Sequence, residues 1–261
     1  MDAVEPLSVR HPRPVTDARL PGELPLFFVA EWQSRFPWLF QATTGTGSAE
    51  DPFDLSFFGN ARAGDVMERW RAIRKHTGFE RVMHARQVHE AAVLVHSETA
   101  PGTTLRDDAD GHVTPARGVL LAVSVADCVP VFVVDAKARA VALLHAGWRG
   151  AAAGILEQGL RTLQRVTYLG LNDVHAHLGP AICGSCYEVG PEVFQAMGLP
   201  TPARNAPIDL RAALADRALA VGVPANNITV SSHCTRCGSG FFSHRRGDRE
   251  RQMGLLGVRS A

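Results

Sequence analysis

The sequence predicts a single mixed α/β domain, and three observations carry that prediction. Val119–Val125 and Val129–Val134 are nearly continuous apolar runs of strand length, and a strand apolar on both sides belongs in a sheet covered on both faces. Strand-like and helix-like segments follow one another in mixed order from Leu24 to Ser231, with no linker-like stretch and no repeat of fixed period. The 261 residues are 46% hydrophobic and 20% charged, which suits one sizeable core and not a disordered chain. Helices are therefore expected outside the sheet, with a second sheet beneath it as the other way to cover its inner face.

Residues 1–22, rich in proline and charge, read as a loose arm, and 23–261 as the domain. Pro25–Ala30 and Trp38–Ala42 read as strands and Gly45–Asp54 as a loop. Asp65–His76 places Val66, Arg69, Trp70 and Ile73 at helical spacing. Strand length and β-branched content then mark Val82–Val88, Ala92–His96, Gly118–Val125, Val129–Asp135 and Ala140–His145. A helix is expected at Ala151–Arg165, a strand at Val174–Leu178, helices at Pro191–Met197 and Asp209–Val221, and a strand at Asn227–Ser231.

Composition narrows the function classes. The formal net charge is +1, so nothing global attracts the chain to nucleic acid or to an anionic membrane, and neither is an expected partner. The five cysteines, Cys128, Cys183, Cys186, Cys234 and Cys237, are an odd number, which argues for reduced thiols over a disulfide framework. Met1–Leu20 has no apolar stretch suited to a signal or a membrane helix. A cytoplasmic protein is the expectation.

The chemistry gathers in three places: Gln87-Val88-His89, Ala126-Asp127-Cys128 and His145-Ala146-Gly147-Trp148-Arg149-Gly150. Each sets a borderline or soft metal donor at the end of an expected strand, where rigid scaffolds present reactive groups. Two imidazoles and one thiolate suit zinc, and three protein ligands leave a position open, the catalytic form of a zinc site. The same residues also have ordinary readings as a strand cap, a small buried apolar residue and a turn histidine. Gly147 and Gly150 would permit a tight strand-to-helix turn, with amides at the helix start facing an anion.

These stretches resemble the polyphenol oxidase laccase-domain family, also called YfiH-like and now described as purine nucleoside phosphorylases. The resemblance is carried by Arg86-Gln87-Val88-His89, Asp110-Gly111-His112-Val113-Thr114, Ala126-Asp127-Cys128-Val129-Pro130 and the His145–Gly150 run. It continues through Leu178–Ile182, Cys186-Tyr187-Glu188-Val189-Gly190, Asp209–Ala213, Cys234-Thr235 and Phe242-Ser243-His244-Arg245-Arg246, covering roughly residues 80–257 in family order. It implies a layered α-β-β-α sandwich with mixed sheets and a Zn2+ held by His89, Cys128 and His145. The N-terminal region departs from the family pattern: Glu90 follows the first histidine where glycine is usual, and Thr43-Thr44-Gly45 lacks the arginine and paired glycines.

The activity implied is phosphorolysis of adenosine, inosine or S-methyl-5'-thioadenosine to free base and ribose 1-phosphate, with adenosine deaminase as a side activity. Small-molecule purine nucleoside and phosphate are then the partners. Arg149, Arg245 and Arg246 are candidate phosphate contacts, because a guanidinium binds a tetrahedral oxyanion in a fork; if Arg245 and Arg246 lie in a strand, only one faces the pocket. Asp127 is a candidate acid or orienter of a ligand histidine, with a structural turn role as its alternative.

Copper is disfavoured despite the family's historical name, since a laccase proper needs many paired imidazoles, and the 11 histidines contain one H-x-H, at His175 and His177. The rival enzyme class is a metal-free cysteine hydrolase with Cys128 as nucleophile and His145 or His89 as base. A zinc-stabilised interaction module is the non-enzymatic rival. Cys183-Gly-Ser-Cys186 and Cys234-Thr-Arg-Cys237 read first as buried thiols beside the site; a shared zinc and a redox pair are the alternatives, the 47 intervening residues being long for a zinc ribbon.

Overall fold

A computed structural model describes residues 12–59, 61–97 and 100–260. Two seven-stranded mixed sheets lie face to face. From edge to edge, the first contains Arg13–Val15, Ile228–Ser231, Val174–Leu178, Val129–Asp135, Ala140–Ala146, Gly111–Thr114 and Val93–Val95. The second contains Ala18–Arg19, Leu26–Phe28, Leu39–Thr44, Gln252–Val258, Val119–Val125, Arg81–Ala85 and Gly102–Arg106.

The alternation along the apolar strands explains the layering. Val131, Val133, Ala142 and Leu144 face the helices Ile155–Thr167 and Leu210–Val221, whereas Phe132, Val134, Val141 and Leu143 face the other sheet. In the second sheet Leu121, Val123, Leu256 and Val258 point inward, and Leu120, Ala122 and Leu255 pack beneath Val66, Trp70 and Ile73 of helix Ala63–Thr77. Each central strand is thus buried on both faces, which is why it carries no polar alternation. The architecture is the α-β-β-α sandwich that the resemblance implies.

Several local expectations change. The loose arm does not extend through residue 22: Arg13–Val15 pairs in parallel with Ile228–Ser231, and Ala18–Arg19 pairs with Leu26–Phe28. Asp17 is buried between them, accepting from Ser231 Oγ and bound to His177 Nε2 at 3.0 Å. Residues 1–11 lie outside the described residues. The strand expected over Pro25–Ala30 stops at Phe28, and Ala30–Arg35 is a helix. The helix expected over Ala151–Arg165 is two, Trp148–Ala152 and Ile155–Thr167, broken at Gly154 with φ +85°.

The strand Gln252–Val258 has no clear sequence signal, yet it lies at the centre of its sheet between Leu39–Thr44 and Val119–Val125. Its glycines dilute the β pattern because close approach requires them. A Cβ on Gly257 would stand 2.6 Å from the Val119 carbonyl oxygen, and one on Gly254 3.0 Å from Pro130 Cβ of the facing sheet.

Candidate metal centre and the clefts around it

The chain crosses between the two sheets close to one end of the sandwich; two of the three donors, Cys128 and His89, sit on those crossings, and the third, His145, sits at a strand end beside them. Cys128 follows Val119–Val125 of one sheet and immediately precedes Val129–Asp135 of the other. His89 lies in the loop joining Arg81–Ala85 to Val93–Val95, again from one sheet to the other. His145 is the penultimate residue of Ala140–Ala146, paired with Pro130. The donor atoms of His89, Cys128 and His145 all lie within 4.8 Å of one another, and Cys128 Sγ is 4.0 Å from His89 Nε2.

Asp110 organises both histidines. Its Oδ1 accepts from His145 Nδ1 at 2.7 Å, which leaves Nε2 of that ring to face the other donors. Its two carboxylate oxygens also accept the successive amides of Val88, His89 and Glu90 at 3.1, 3.0 and 2.9 Å. That clasp holds His89 in the left-handed region, at φ +62°, a conformation that costs a non-glycine residue about 1–2 kcal/mol. Burial opposes the Asp110 charge, but the His145 and amide hydrogen bonds outweigh it, so its carboxyl stays below the usual range.

The glycines of the His145–Gly150 run make the expected tight strand-to-helix turn, Gly147 being the one residue between strand Ala140–Ala146 and helix Trp148–Ala152. They serve it through close approach. Neither has a positive φ. A Cβ on Gly147 would stand 3.0 Å from both Cys128 Sγ and His89 Cδ2, and one on Gly150 2.9 Å from the Glu90 carbonyl oxygen. They let the polypeptide close over the donors.

Electrostatically, Cys128 and His145 form a coupled pair. Burial alone would raise the thiol, yet the adjacent His145 and His89 rings bring it down to about 6. Burial alone would lower the imidazole, yet Cys128 and Asp110 push His145 up to about 9. The pocket therefore favours a thiolate, the form that ligates a metal or attacks an electrophile. A tetrahedral zinc with bonds of about 2.0–2.3 Å would set its nitrogen and sulfur ligands about 3.6 Å apart; the Cys128–His89 pair, at 4.0 Å, is within a few tenths of an ångström of that spacing, and all three donors lie within 4.8 Å.

Two clefts meet at these donors. One, of about 270 Å³, is bounded by Trp148, Arg149, Tyr187 and Arg245. The other, of about 320 Å³, is bounded by Phe58, His84, Arg86 and Arg251. His89, Cys128 and His244 line both. Arg149 projects into the first cleft from the first turn of its helix with its guanidinium 4.3 Å from the Trp148 ring. Burial, then the Cys128 charge, push the Tyr187 hydroxyl up to about 12, so it keeps its proton at neutral pH.

The remaining sequence candidates separate. Arg245 reaches the first cleft, its guanidinium 4.8 Å from the Tyr187 ring and bonded to the Glu188 carbonyl. Arg246 does not line it; its guanidinium is spent on the Thr235 and Phe241 carbonyls and on Asp248. They lie in a 3-10 turn, His244–Arg246, and not in a strand, yet here too only one of the pair faces the cleft. Asp127 lines the cleft, but its side chain accepts from the Thr235 hydroxyl at 2.6 Å and the Arg245 amide at 2.7 Å, and the residue orienting His145 is Asp110. The sequence reading gave no role to Asp110, Tyr187, His84 or His244. Asp110 and His244 stand inside recognisable stretches, but no spacing rule links them to His145 or Cys128. His177, of the H-x-H pair, is taken up by Asp17 and Thr229.

Comparisons with known proteins agree with this geometry. Residues 39–259 match the multi-copper polyphenol oxidoreductase laccase family. Among curated relatives, purine nucleoside phosphorylase YlmD of Geobacillus stearothermophilus is 35% identical over 75% of this chain and 79% of its own. Adenosine deaminase RL5, from an unknown prokaryotic organism, is 37% identical over 62% of this chain and 68% of its own. The crystal structure of YlmD from Geobacillus stearothermophilus superposes with a TM-score of 0.85 at 29% identity, covering 94% of this chain and all of that one. Bacillus licheniformis YfiH, a hypothetical protein, superposes at 0.83 with 26% identity over 92% of this chain and 98% of its own. With its match spanning both sheets and the loops that carry His89, Cys128 and His145, the chain belongs to the multi-copper polyphenol oxidoreductase laccase family, the YfiH-like proteins.

Proposed function

We propose that this protein is a zinc-dependent purine nucleoside phosphorylase with adenosine deaminase side activity, acting on adenosine, inosine or S-methyl-5'-thioadenosine. The observation that carries the proposal is the convergence of His89, Cys128 and His145 where two clefts meet, with Arg149 and Arg245 on one side. The names of the relatives, purine nucleoside phosphorylase and adenosine deaminase, support it.

In phosphorolysis a phosphate oxygen bonds to the anomeric carbon as the glycosidic C–N bond breaks, and the base leaves with the electron pair and gains a proton. Positive charge grows on the ribose and negative charge on the base, so the site must hold an anion on one face and stabilise another beside it. Arg149 and Arg245 border a cleft large enough for phosphate and ribose and offer forked donors to the phosphate oxygens. Protonated Tyr187 adds a neutral donor to the same wall. Trp148 and Ile182 supply apolar surface that keeps water from the reacting carbon. A zinc held by His89, Cys128 and His145 would supply Lewis-acid stabilisation of negative charge developing next to it.

The deciding assay is hypoxanthine release from inosine with and without phosphate, for wild type, Cys128→Ala and His145→Ala. Release in wild type that depends on phosphate and falls in both variants supports the reading; equal rates in all three refute the site. A second reading, a cysteine hydrolase, is favoured by the Asp110–His145–Cys128 alignment with its lowered thiol. Alkylation separates them: zinc shields a ligand thiolate, whereas a nucleophilic Cys128 reacts alike with and without chelator.

A further inference from the structure

A second cluster of soft donors lies outside the reaction centre. Cys183, Cys186, Cys234 and Cys237 come from two loops remote in sequence, yet their four sulfurs all lie within 4.8 Å of one another. All four are free thiols, and Cys183 Sγ and Cys237 Sγ stand 4.0 Å apart. A disulfide would need two sulfurs at about 2.05 Å and would leave the other two unexplained. Four sulfurs around one zinc, each about 2.3 Å from it, form a tetrahedron with edges of about 3.8 Å. The Cys183–Cys237 pair, at 4.0 Å, is close to that figure, and no pair in the cluster exceeds 4.8 Å.

The backbone is arranged as a thiolate pair of turns requires. The amides of Cys183 and Cys237 both donate to Cys234 Sγ, at 3.3 and 3.5 Å, so amides from both loops converge on one sulfur. Amide donors aimed at sulfur stabilise the anionic form that ligates metal. The Gly238 amide closes the Cys234–Cys237 turn on the Cys234 carbonyl at 3.0 Å. A Cβ at Gly238 would stand 2.4 Å from that same oxygen, so this turn has no space for a side chain there. The loops are further tied by the Ala181–Cys234 bridge and by Arg236, whose guanidinium donates to the Cys186 carbonyl at 3.0 Å.

We propose that Cys183, Cys186, Cys234 and Cys237 hold a second zinc ion, a closed four-thiolate site that staples the 183–186 loop to the 234–237 turn. Entry of the ion displaces the thiol protons to solvent and involves no change of oxidation state. The site has a structural task visible in its neighbours. Tyr187 follows Cys186 directly and lines the first cleft. Thr235 follows Cys234 and bonds to Asp127 of that cleft, and Arg246 binds the Thr235 and Arg236 carbonyls. The staple therefore fixes the wall that carries Tyr187 and Arg245.

The test is metal analysis of the protein as purified, beside Cys186→Ser, Cys237→Ser and Cys128→Ala. The expected result is about two zinc per chain in wild type and about one in each variant. The cluster's ion is lost from the two serine variants, and the other ion from Cys128→Ala. In case the serine variants fail to fold, cobalt exchange into wild type gives an independent readout: a tetrathiolate site contributes intense visible and sulfur-to-metal charge-transfer absorption that remains in Cys128→Ala. One zinc per chain that disappears in Cys128→Ala, with four reactive thiols or a disulfide at the cluster, overturns the proposal. So does a cobalt spectrum that shows no tetrathiolate bands.

Discussion

Asp110 and His145 are joined twice. The His145 amide donates to the Asp110 carbonyl at 2.7 Å, and the ring Nδ1 donates to the carboxylate at 2.7 Å. One residue thus fixes both the position of the strand end and the rotation of the imidazole on it, while its carboxylate also clasps the loop that carries His89. A carboxylate behind a ligand histidine sets the ring's tautomer and raises its basicity.

Asp110→Asn converts one of these acceptors into a donor facing the Val88 or Glu90 amide. Zinc affinity is expected to fall about 10–100-fold, the usual cost of losing such a partner. Competition against a chelator measures it, and an unchanged affinity would show that Asp110 does not position the donors.

Gly147→Ala places a methyl 3.0 Å from Cys128 Sγ and His89 Cδ2. Metal occupancy should drop, with a stability loss of about 1–3 kcal/mol from overpacking. Zinc content and urea denaturation, run in parallel, test the two halves of that statement. Full zinc occupancy in the variant would contradict it.

Arg149→Ala and Arg245→Ala are expected to raise the KM for phosphate roughly tenfold or more, since a hydrogen bond to a charged group contributes about 1.5–3 kcal/mol. Arg246→Ala should instead lower stability and leave that KM nearly unchanged, because its partners are Thr235, Phe241 and Asp248. Initial rates at varied phosphate distinguish them. A larger effect on KM from Arg246 than from Arg245 would reverse the assignment.

Asp17→Asn removes a carboxylate bound to His177 with both side chains fully buried. A loss of about 3 kcal/mol or more is expected from breaking such a pair. Burial works against the Asp17 charge, but His177 and Ser231 outweigh it and hold its pKa below 3.8. Its stabilisation is therefore complete above that value and lost as pH falls through the lower folded-state pKa. Denaturation midpoints of the variant equal to wild type would refute the anchoring of residues 12–22.

Burial lowers His84, His96 and His175 from 6.5 to about 4. Between those values the unfolded chain binds more protons than the folded one, so folding stability should decline as pH drops from about 6.5 to about 4. Urea midpoints across that window provide the check, with a flat profile as the contrary result.

Much of the fold was legible because burial leaves a direct trace: the strands Val129–Asp135 and Val174–Leu178, buried along their whole length, and the helix Pro191–Met197, with Val193 and Met197 buried on one side, appear where their residue patterns place them. Gln252–Val258 was not legible, since Gly254 and Gly257 answer to neighbours in other strands. The strand Arg13–Val15 was hidden for a related reason, its exposed edge residues carrying no apolar run.

By itself the sequence determined which residues are apolar on both sides, and hence the doubly covered sheets, and it offered His89, Cys128 and His145 as donors. Only the tertiary structure decided that Asp110 positions the two histidines, that Arg245 faces the cleft while Arg246 turns away, and that four cysteines from two loops come together. Periodicity records what each residue buries against, because burial is a property of a position along one element. Convergence depends on where strand ends and the loops between the sheets meet, and that is fixed by the packing of both sheets together.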